Sequence, residues 1–268
     1  DCSGERYFSL PVRSAVDSAE REDVDEPLLT CRVEDKKENT SILWTTFSSL
    51  WKKKEYRLDV MEDSFLYRVT VYGEGKPEEI RYFQSRVKDT PAGRNGGSYE
   101  TAGYLLPASC CGEVNYTYSM QKNNRLSLHY MVPPMLCYPF FMEEHPDWFG
   151  LGLAARPGQY NFDSFYYHNH DNRFHLSTRF HGHTTVAGQW EAPGILGCHG
   201  MDGFDVLSHY SGWHYAHGYA KPHPAQNEDW WYGPFFCGWG EQAPLGGKYH
   251  TGIYGAANQK VYTEISEH

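Results

Sequence analysis

The chain has 268 residues, of which 40% are hydrophobic and 16% aromatic, and its formal net charge is −10 at pH 7. This negative balance argues against a nucleic-acid partner, which needs a basic surface, and against adhesion to an anionic membrane. No apolar run approaches the roughly 20 residues that span a bilayer, so no membrane partner is expected, and the length fits one β domain with an appendage.

The N-terminal segment, residues 1–40, is charge-dense and weakly patterned. Its most polar part is the run DSAEREDVDE at residues 17–26. Charged stretches without apolar periodicity are typical of solvated chain. We therefore expect a loop or a short helix here, with the strands beginning after it.

Residues 41–200 predict a mainly-β fold. The clearest signal is FLYRVTVY at residues 65–72, where the apolar side chains at odd positions share one face of a half-buried strand. Similar segments separated by turn-forming residues favour a two-sheet antiparallel β-sandwich. The predicted strands are 41–47, 55–60, 65–72, 80–83, 98–106, 114–120, 126–131, 148–155, 160–167, 174–180 and 184–190.

The character of the sequence changes after residue 200. Residues 201–229 predict a helical linker whose helix is capped by Asp202 and closed by Gly218. Residues 230–268 predict the start of a second domain or a C-terminal helical extension. This last region opens with the aromatic run WWYGPFFCGWG and ends in a stretch, residues 249–265, that is compatible with one helix.

Two His-x-His pairs occur, at His168/His170 and at His181/His183. Alternate residues of a strand share one face, so such pairs can ligate a metal. No acidic residue or cysteine lies at a spacing that completes either site. We therefore predict no metal and no cofactor.

Sugar recognition fits the second half of the chain better. Sugar rings stack their C–H faces on Trp and Tyr, while their hydroxyls bond to Asn, Asp, Gln, His and Arg, and residues 148–242 mix both kinds of side chain. An oligo- or polysaccharide is the predicted partner. From this region we select Tyr167, His168, His170 and Trp190 as substrate-binding residues.

The sequence does not identify the catalytic residues. A polysaccharide lyase would use a Tyr and a His as base and acid, for which Tyr167 and His168 are candidates. A glycosidase would use two carboxylates, and the sequence offers too many to select a pair. A non-catalytic, lectin-like module is the third alternative.

Four segments resemble a known group of enzymes. They are FGLGLAARP at 149–157, NFDSFYY at 161–167, GHTTVAGQWEAP at 182–193 and WWYGPFFCGWGEQ at 230–242. In their order the chain resembles the N-terminal β-sandwich of multidomain glycoside hydrolases of the α-galactosidase and α-glucosidase type. The resemblance covers roughly residues 40–268.

This resemblance implies a sandwich followed by a helical linker and a (β/α)₈ barrel. Residues 201–218 match the linker helix, residues 235–240 the first barrel strand and residues 249–267 the first barrel helix. The catalytic carboxylates of such enzymes lie on later barrel strands, so a downstream catalytic barrel is the implied partner. Trp239 and Glu241 join the substrate-binding candidates because the first barrel strand ends at the substrate mouth.

Overall fold

The computed structural model describes residues 8–36, 39–90, 96–99, 103–105, 118–119, 125–127, 136–142, 147–163, 165–170, 173–221 and 238–267. The chain divides into two compact units, Asp1–Lys221 and Pro222–His268. The division falls inside the predicted linker 201–229.

The first unit is mainly β, as predicted. Its strands are β1 Phe8–Ser9, β2 Ala15–Asp17, β3 Val24–Asp25, β4 Thr30–Lys36, β5 Asn39–Thr46, β6 Lys53–Val60, β7 Ser64–Gly75, β8 Glu79–Tyr82, β9 Arg86–Val87, β10 Gly97–Tyr99, β11 Gly103–Leu105, β12 Tyr118–Ser119, β13 Arg125–Ser127, β14 Cys137–Met142, β15 Trp148–Ala154, β16 Phe165–His170, β17 Arg173–Arg179, β18 Val186–Glu191 and β19 Gly194–Gly200. Parts of the predicted strands 98–106, 114–120 and 126–131 lie outside the described residues.

Two antiparallel sheets form the sandwich. One runs β12-β11-β14-β15-β19-β7-β6-β5-β4, with β18 also paired to β7. The other runs β1-β10-β17-β16-β13, with β8 paired to β17 and β2 paired to β8. A short parallel pair, β3 and β9, lies apart from both sheets.

The core is built from the inward-facing residues of both sheets. On β7 the burial alternates as the sequence predicts, and Tyr67, Val69 and Val71 are inside. They share one apolar cluster with residues of the opposite sheet such as Phe165 and Leu176. Because alternate residues of a strand face opposite ways, each strand contributes every second side chain to this cluster.

The expectation of a solvated loop at residues 17–26 is confirmed for the exposed residues 19–22 and is wrong for Asp17, Asp23 and Asp25. Residues 8–36 contribute β1 to β4, and the carboxylates of Asp23 and Asp25 are fully buried. Lys54 on β6 forms an ion pair with both carboxylates. A charge run can be buried when a distant cation neutralises it, and local composition does not reveal that partner.

Two further strand predictions need correction. Residues 160–163 form a loop rather than a strand. Within this loop the Asp163 N–H donates to the Arg179 carbonyl of β17 at 3.0 Å. The strand β19, sequence GILGCHG, was not predicted from the sequence. It is buried almost throughout and so lacks the polar alternation of a half-exposed strand.

The predicted helix after residue 200 is confirmed as α1, Gly203–Ala216. The Asp202 carboxylate accepts from the N–H groups of Phe204 and Asp205, at 2.9 and 2.8 Å. Gly218, at φ +73°, follows the C-cap in the left-handed conformation that glycine favours. The helix packs on β15, where Val206 lies over Gly150 and Tyr210 over Gly152.

The described part of the second unit is helical. It comprises α2 Trp239–Lys248, α3 Gly252–Gly255 and α4 Gln259–Ser266. Residues 239–240 therefore begin a helix and do not end a barrel strand, while residues 235–237 lie outside the described residues. The single helix expected at 249–265 is interrupted, because Asn258 caps a new helix by accepting from the Val261 N–H at 3.1 Å. No helix within the described residues is long and apolar enough to cross a bilayer.

Candidate functional site

An open groove of about 440 Å³ lies between strand β18 and the loop that follows β15. Its lining includes one tryptophan and several amide residues, together with one arginine and one glutamate. These residues are Arg156, Gln159, Asn161, Gln189, Trp190 and Glu191. Another pocket of the sandwich, about 130 Å³ over β4 to β6, has no aromatic residue in its lining.

Local structure explains why the groove forms. Strand β18 pairs with β7 along one edge. The loop covers its other side through the side chain of Gln159, whose Nε2 donates to the Glu191 carbonyl at 2.9 Å and whose Oε1 accepts from the Arg156 N–H at 2.8 Å. Asn161 holds the far end of the loop by bonding to Thr184.

Trp190 is held by a chain of aromatic contacts. Its ring meets Phe180 edge-on at 5.1 Å, Phe180 meets Phe162 at 6.3 Å, and Phe162 meets the exposed Tyr160 at 6.0 Å. Trp190 is therefore partly buried against the core, and it is also one of the residues that line the groove. A fixed indole beside amides and charges has the composition that sugar recognition requires.

Tyr167 does not lie at this groove or at any surface. Its side chain is 1% exposed and packs in the core against Tyr138, Phe140 and Phe174. A core tyrosine contributes packing and is not available to a glycan, so the prediction of Tyr167 as a substrate-binding residue is wrong. The sequence indicated a ligand role because Tyr is amphipathic, whereas the sheet pairing turns this one inward.

His168 faces away from the core, on the opposite side of β16 from Tyr167. The proposed Tyr167–His168 acid–base pair therefore does not converge on one point. His168 stacks on His175 across the β16–β17 ladder, with ring centroids 4.4 Å apart and planes 3° from parallel. The two residues form a directly opposed cross-strand pair.

This histidine pair is anchored to strand β8. Ser177 donates to Glu79 Oε1 at 2.8 Å, so His168 Nε2, 2.9 Å from the Ser177 hydroxyl, is the donor in the second bond. Burial, with His168 and Arg81 nearby, lowers the pKa of His175 to about 2, which keeps its imidazole neutral. These contacts tie β8, β16 and β17 together and lie away from the groove lining.

Three other candidates lie elsewhere. His170 is the last residue of β16, and its side chain lies outside the described residues. Trp239 and Glu241 stand in the first turn of α2, in the second unit, where Trp239 is 47% exposed and meets Tyr254 edge-on at 6.0 Å. Among the side chains that the structure describes, no three His, Cys, Asp or Glu are grouped to hold a metal. Trp190 is thus the sequence-selected residue that the structure places at the groove.

Sequence reasoning missed the polar part of the groove. Residues 156–159 lie between the predicted strands 148–155 and 160–167 and were not selected as ligand contacts. The run Gln189-Trp190-Glu191 places an aromatic residue between two polar ones. That run was the sequence signal that could have indicated the groove. Its partners in the loop are more than 25 residues away in sequence, so no local pattern joins them.

A histidine beyond the groove ties its loop to the rest of the sheet. His181 Nε2 lies 2.8 Å from Asp163, at the end of the groove loop, and its Nδ1 lies 3.2 Å from Glu78. Only the imidazolium can donate to both carboxylates. The hydrogen bond to Asp163, with Glu78 nearby, raises the pKa of His181 above its usual value.

We expect His181→Asn to lower stability mainly at acidic pH. The raised folded-state pKa gives a contribution that is complete below the unfolded pKa of about 6.5 and is lost as pH rises through the folded value. Asn tolerates the left-handed backbone of residue 181, φ +48°, but carries no charge. Melting temperatures should differ more near about pH 5.5 than near about pH 8.5. His183→Asn, two residues away, is the control, and an equal difference at both pH values would contradict the assignment.

Comparison with known proteins bears on the fold of the chain. No protein-family model matches the chain, and no curated protein matches it in sequence. The α-N-acetylgalactosaminidase NagBb from Bifidobacterium bifidum, as a quadruple mutant, is similar with a TM-score of 0.51 at 7% identity over 77% of this chain and 34% of that one. Its complex with GalNAc gives 0.50 at 8% identity over 79% and 34%. The chain thus spans about a third of the length of these structures.

The fold is therefore a β-sandwich of the kind found within a glycoside hydrolase. At such low identity the similarity defines architecture and carries no residue roles. The groove beside Trp190 rests on this chain's own geometry.

Proposed function

We propose that the chain is the sugar-binding β-sandwich portion of a glycoside hydrolase. The observation that carries the proposal is the groove, whose lining combines a partly buried tryptophan with asparagine, glutamine, arginine and glutamate residues. Trp190 supplies the stacking surface, and Asn161 on the loop supplies polar contacts for hydroxyls. The fold shared with NagBb supports the enzyme class, because that protein is an α-N-acetylgalactosaminidase.

Binding is favoured over hydrolysis at this groove. Glycosidases use two carboxyl groups across the scissile bond, whereas Glu191 is the single carboxylate among the described residues that line the groove. Tyr167 is in the core, which removes the acid–base pair selected for a lyase. The groove is therefore a recognition site.

The finer form of the proposal is a multidomain enzyme of the α-galactosidase or α-glucosidase type. In this form the sandwich contributes substrate-binding surface, and a downstream catalytic barrel is the partner that contributes the carboxylates. Trp239 and Glu241 belong to the proposed substrate-binding surface of the second unit, on helix α2. His168 and His170 remain proposed contacts on β16.

We expect Trp190→Leu to weaken glycan binding at least about tenfold, or about 1.4 kcal/mol. Leucine keeps an apolar side chain for the core but removes the flat face, and buried aromatic anchors carry much of the free energy of binding. The test is a screen of the chain on a glycan array, followed by calorimetric titration of the best ligand with wild type and variant.

Trp44→Leu is the matched control. Trp44 is also a partly buried tryptophan packed against the same core, but it lies on β5, outside the groove lining. It should lose stability and keep affinity. Absence of glycan binding by the wild type, or equal affinity of wild type and Trp190→Leu, would contradict the proposal.

A non-catalytic, lectin-like role is the second candidate, and the single carboxylate of the groove favours it. The full-length natural protein separates the two. Hydrolysis of aryl glycosides by that protein supports the enzyme, whereas binding without turnover of any glycoside supports the lectin-like role.

A further inference from the structure

Strand β4 forms one edge of the larger sheet. Among the described residues it pairs with β5 alone, so no strand lies on its other side. It is seven residues long, and its middle residue, Val33, is 59% exposed. An edge strand presents a row of backbone N–H and C=O groups with which another strand can pair. β4 is therefore open to a partner strand.

The side chains of β4 alternate between an apolar and a polar side of the sheet. Val33 stands opposite Ile42 on β5, and Ile42 stands opposite Leu58 on β6, which packs against the core. Directly opposed residues share one face of a sheet. Arg32 and Glu34 therefore lie on the other face, where Arg32 Nε is 3.2 Å from Glu34 Oε1 and both side chains reach solvent.

We propose that β4 pairs antiparallel with β4 of a second copy of this chain, about a two-fold axis at Val33. This pairing joins the two larger sheets into one and overlaps all seven residues of the strand. On the apolar face, Val33 meets the partner's Val33. On the polar face, Arg32 of each copy stands opposite Glu34 of the other, so the two interactions are equivalent by symmetry.

The order of charges along β4 selects this register. Charged residues usually protect a sheet edge from pairing. Moving the axis to Arg32 or to Glu34 would place two like charges directly opposite each other, which is destabilising. Placing the axis between two residues would set polar side chains beside apolar ones, so the faces of the joined sheet would not match. The axis at Val33 combines full overlap, matched faces and opposite charges.

The size of this contact sets its strength. A pair of seven-residue strands is about 23 Å long. One such pair is small beside the interfaces of permanent dimers, which bury more than about 2,000 Å². Each copy also carries a net charge of −10, which opposes association at low salt. We therefore expect a reversible dimer with a Kd on the order of 10 μM.

The test is sedimentation equilibrium of the chain over about 1–300 μM in about 0.15 M salt, where long-range repulsion is screened. The wild type should show a monomer–dimer equilibrium. Arg32→Glu should raise the Kd at least about tenfold, because the symmetry creates two like-charge contacts. Val33→Lys should do the same, since it places two ammonium groups at the axis.

The reversed pair provides the decisive variant. Arg32→Glu combined with Glu34→Arg exchanges the two charges and should return the Kd to within about threefold of the wild type. Arg21→Glu is the matched control, because it alters the net charge as Arg32→Glu does, at an exposed residue outside β4. It should leave the Kd unchanged, and circular dichroism should show that every variant is folded.

Three results would overturn the proposal. They are a wild type that stays monomeric at every concentration, a dimer that Arg32→Glu does not weaken, and a weakened dimer that the reversed pair does not restore. A monomeric chain that instead binds an extended peptide along β4 counts among the first. The pairing is separate from the proposed sugar site, so glycan binding can succeed or fail independently of it.

Discussion

Replacing Lys54 with Met should lower the free energy of unfolding by about 3–5 kcal/mol. Lys54 is fully buried, as are Asp23 and Asp25. Its ammonium contacts the Asp23 carboxylate, lies 2.6 Å from Asp25 Oδ1 and donates to the Ser14 carbonyl at 2.8 Å. The substitution keeps the apolar stem but leaves two carboxylates in the interior without this cation.

The electrostatic setting supports that magnitude. Burial raises the pKa of Asp25 even with Lys54 beside it. Burial acts to lower the pKa of Lys54, but the neighbouring Tyr56, Asp23 and Asp25 outweigh it and raise that pKa, so the lysine stays charged. Arg13, 3.8 Å from Asp25, is too distant to replace the lost ammonium. Removing one charged residue from a buried ion cluster lowers stability by more than the whole cluster contributes to it, because the remaining charge is left uncompensated.

The control is the same substitution one residue earlier. Lys53 pairs with Glu55 at 3.1 Å on the surface, and such pairs contribute about 0–1 kcal/mol. Denaturant unfolding at neutral pH should therefore show a large loss for Lys54→Met and a small one for Lys53→Met.

The loss should also depend on pH. In Lys54→Met the folded-state pKa of Asp25, which burial already raises, rises further above its unfolded value, so the deficit is present at neutral pH and shrinks as pH falls and this carboxyl takes up a proton. Similar losses for both lysine variants, or a deficit that does not shrink with falling pH, would contradict this account.

The second large effect is expected from Gly152→Ala. A Cβ at residue 152 would lie 2.2 Å from Cε2 of Tyr210, closer than any real contact of such an atom. Tyr210 cannot swing away freely, because its hydroxyl donates to the carbonyl of Leu153 and its ring packs against the core clusters. Overpacking of this kind costs about 1–3 kcal/mol, and here it should lift helix α1 from the sheet.

Gly212 is the matched control, since it lies on α1 and a Cβ there meets nothing within 4 Å. Gly212→Ala should stabilise the chain by up to about 1 kcal/mol, because Ala is the better helix former. Denaturant unfolding measures both effects, and near-ultraviolet circular dichroism reports the environment of Trp213 on the same helix. Unchanged stability and an unchanged spectrum in Gly152→Ala would show that the close approach of helix and strand is not required.

Local patterns were sufficient for much of the first unit. The period-two alternation at residues 65–72 predicted β7 and its buried face, and Asp202 and Gly218 predicted both ends of α1. These features are readable because the side chains and backbone groups that interact lie within a few residues of each other. The strand β19 was not predicted, because it is buried on both faces and therefore lacks the alternation on which the prediction depends.

Local sequence also could not decide which of the two side chains, Tyr167 or His168, faces the core. Their adjacency in a strand already implied opposite faces. Which face became the core depended on the pairing of β16 with β13 and β17 and on the opposing sheet, which supplies Tyr138 and Phe140. In the second unit, Trp239 and Glu241 were placed by analogy with a barrel strand, whereas the chain there forms a helix.

The sequence by itself determined the mainly-β class, the capped helix α1 and the mixture of aromatic and polar residues that suggested a sugar. Tertiary structure alone decided that two carboxylates of the acidic run, those of Asp23 and Asp25, are buried against Lys54, 31 residues from Asp23. It also decided that the turn after β15 meets strand β18, since Gln159 reaches the Glu191 carbonyl across 32 residues. Burial of a charge and assembly of a groove depend on which distant segments are brought together, and that is a property of sheet pairing that no local period encodes.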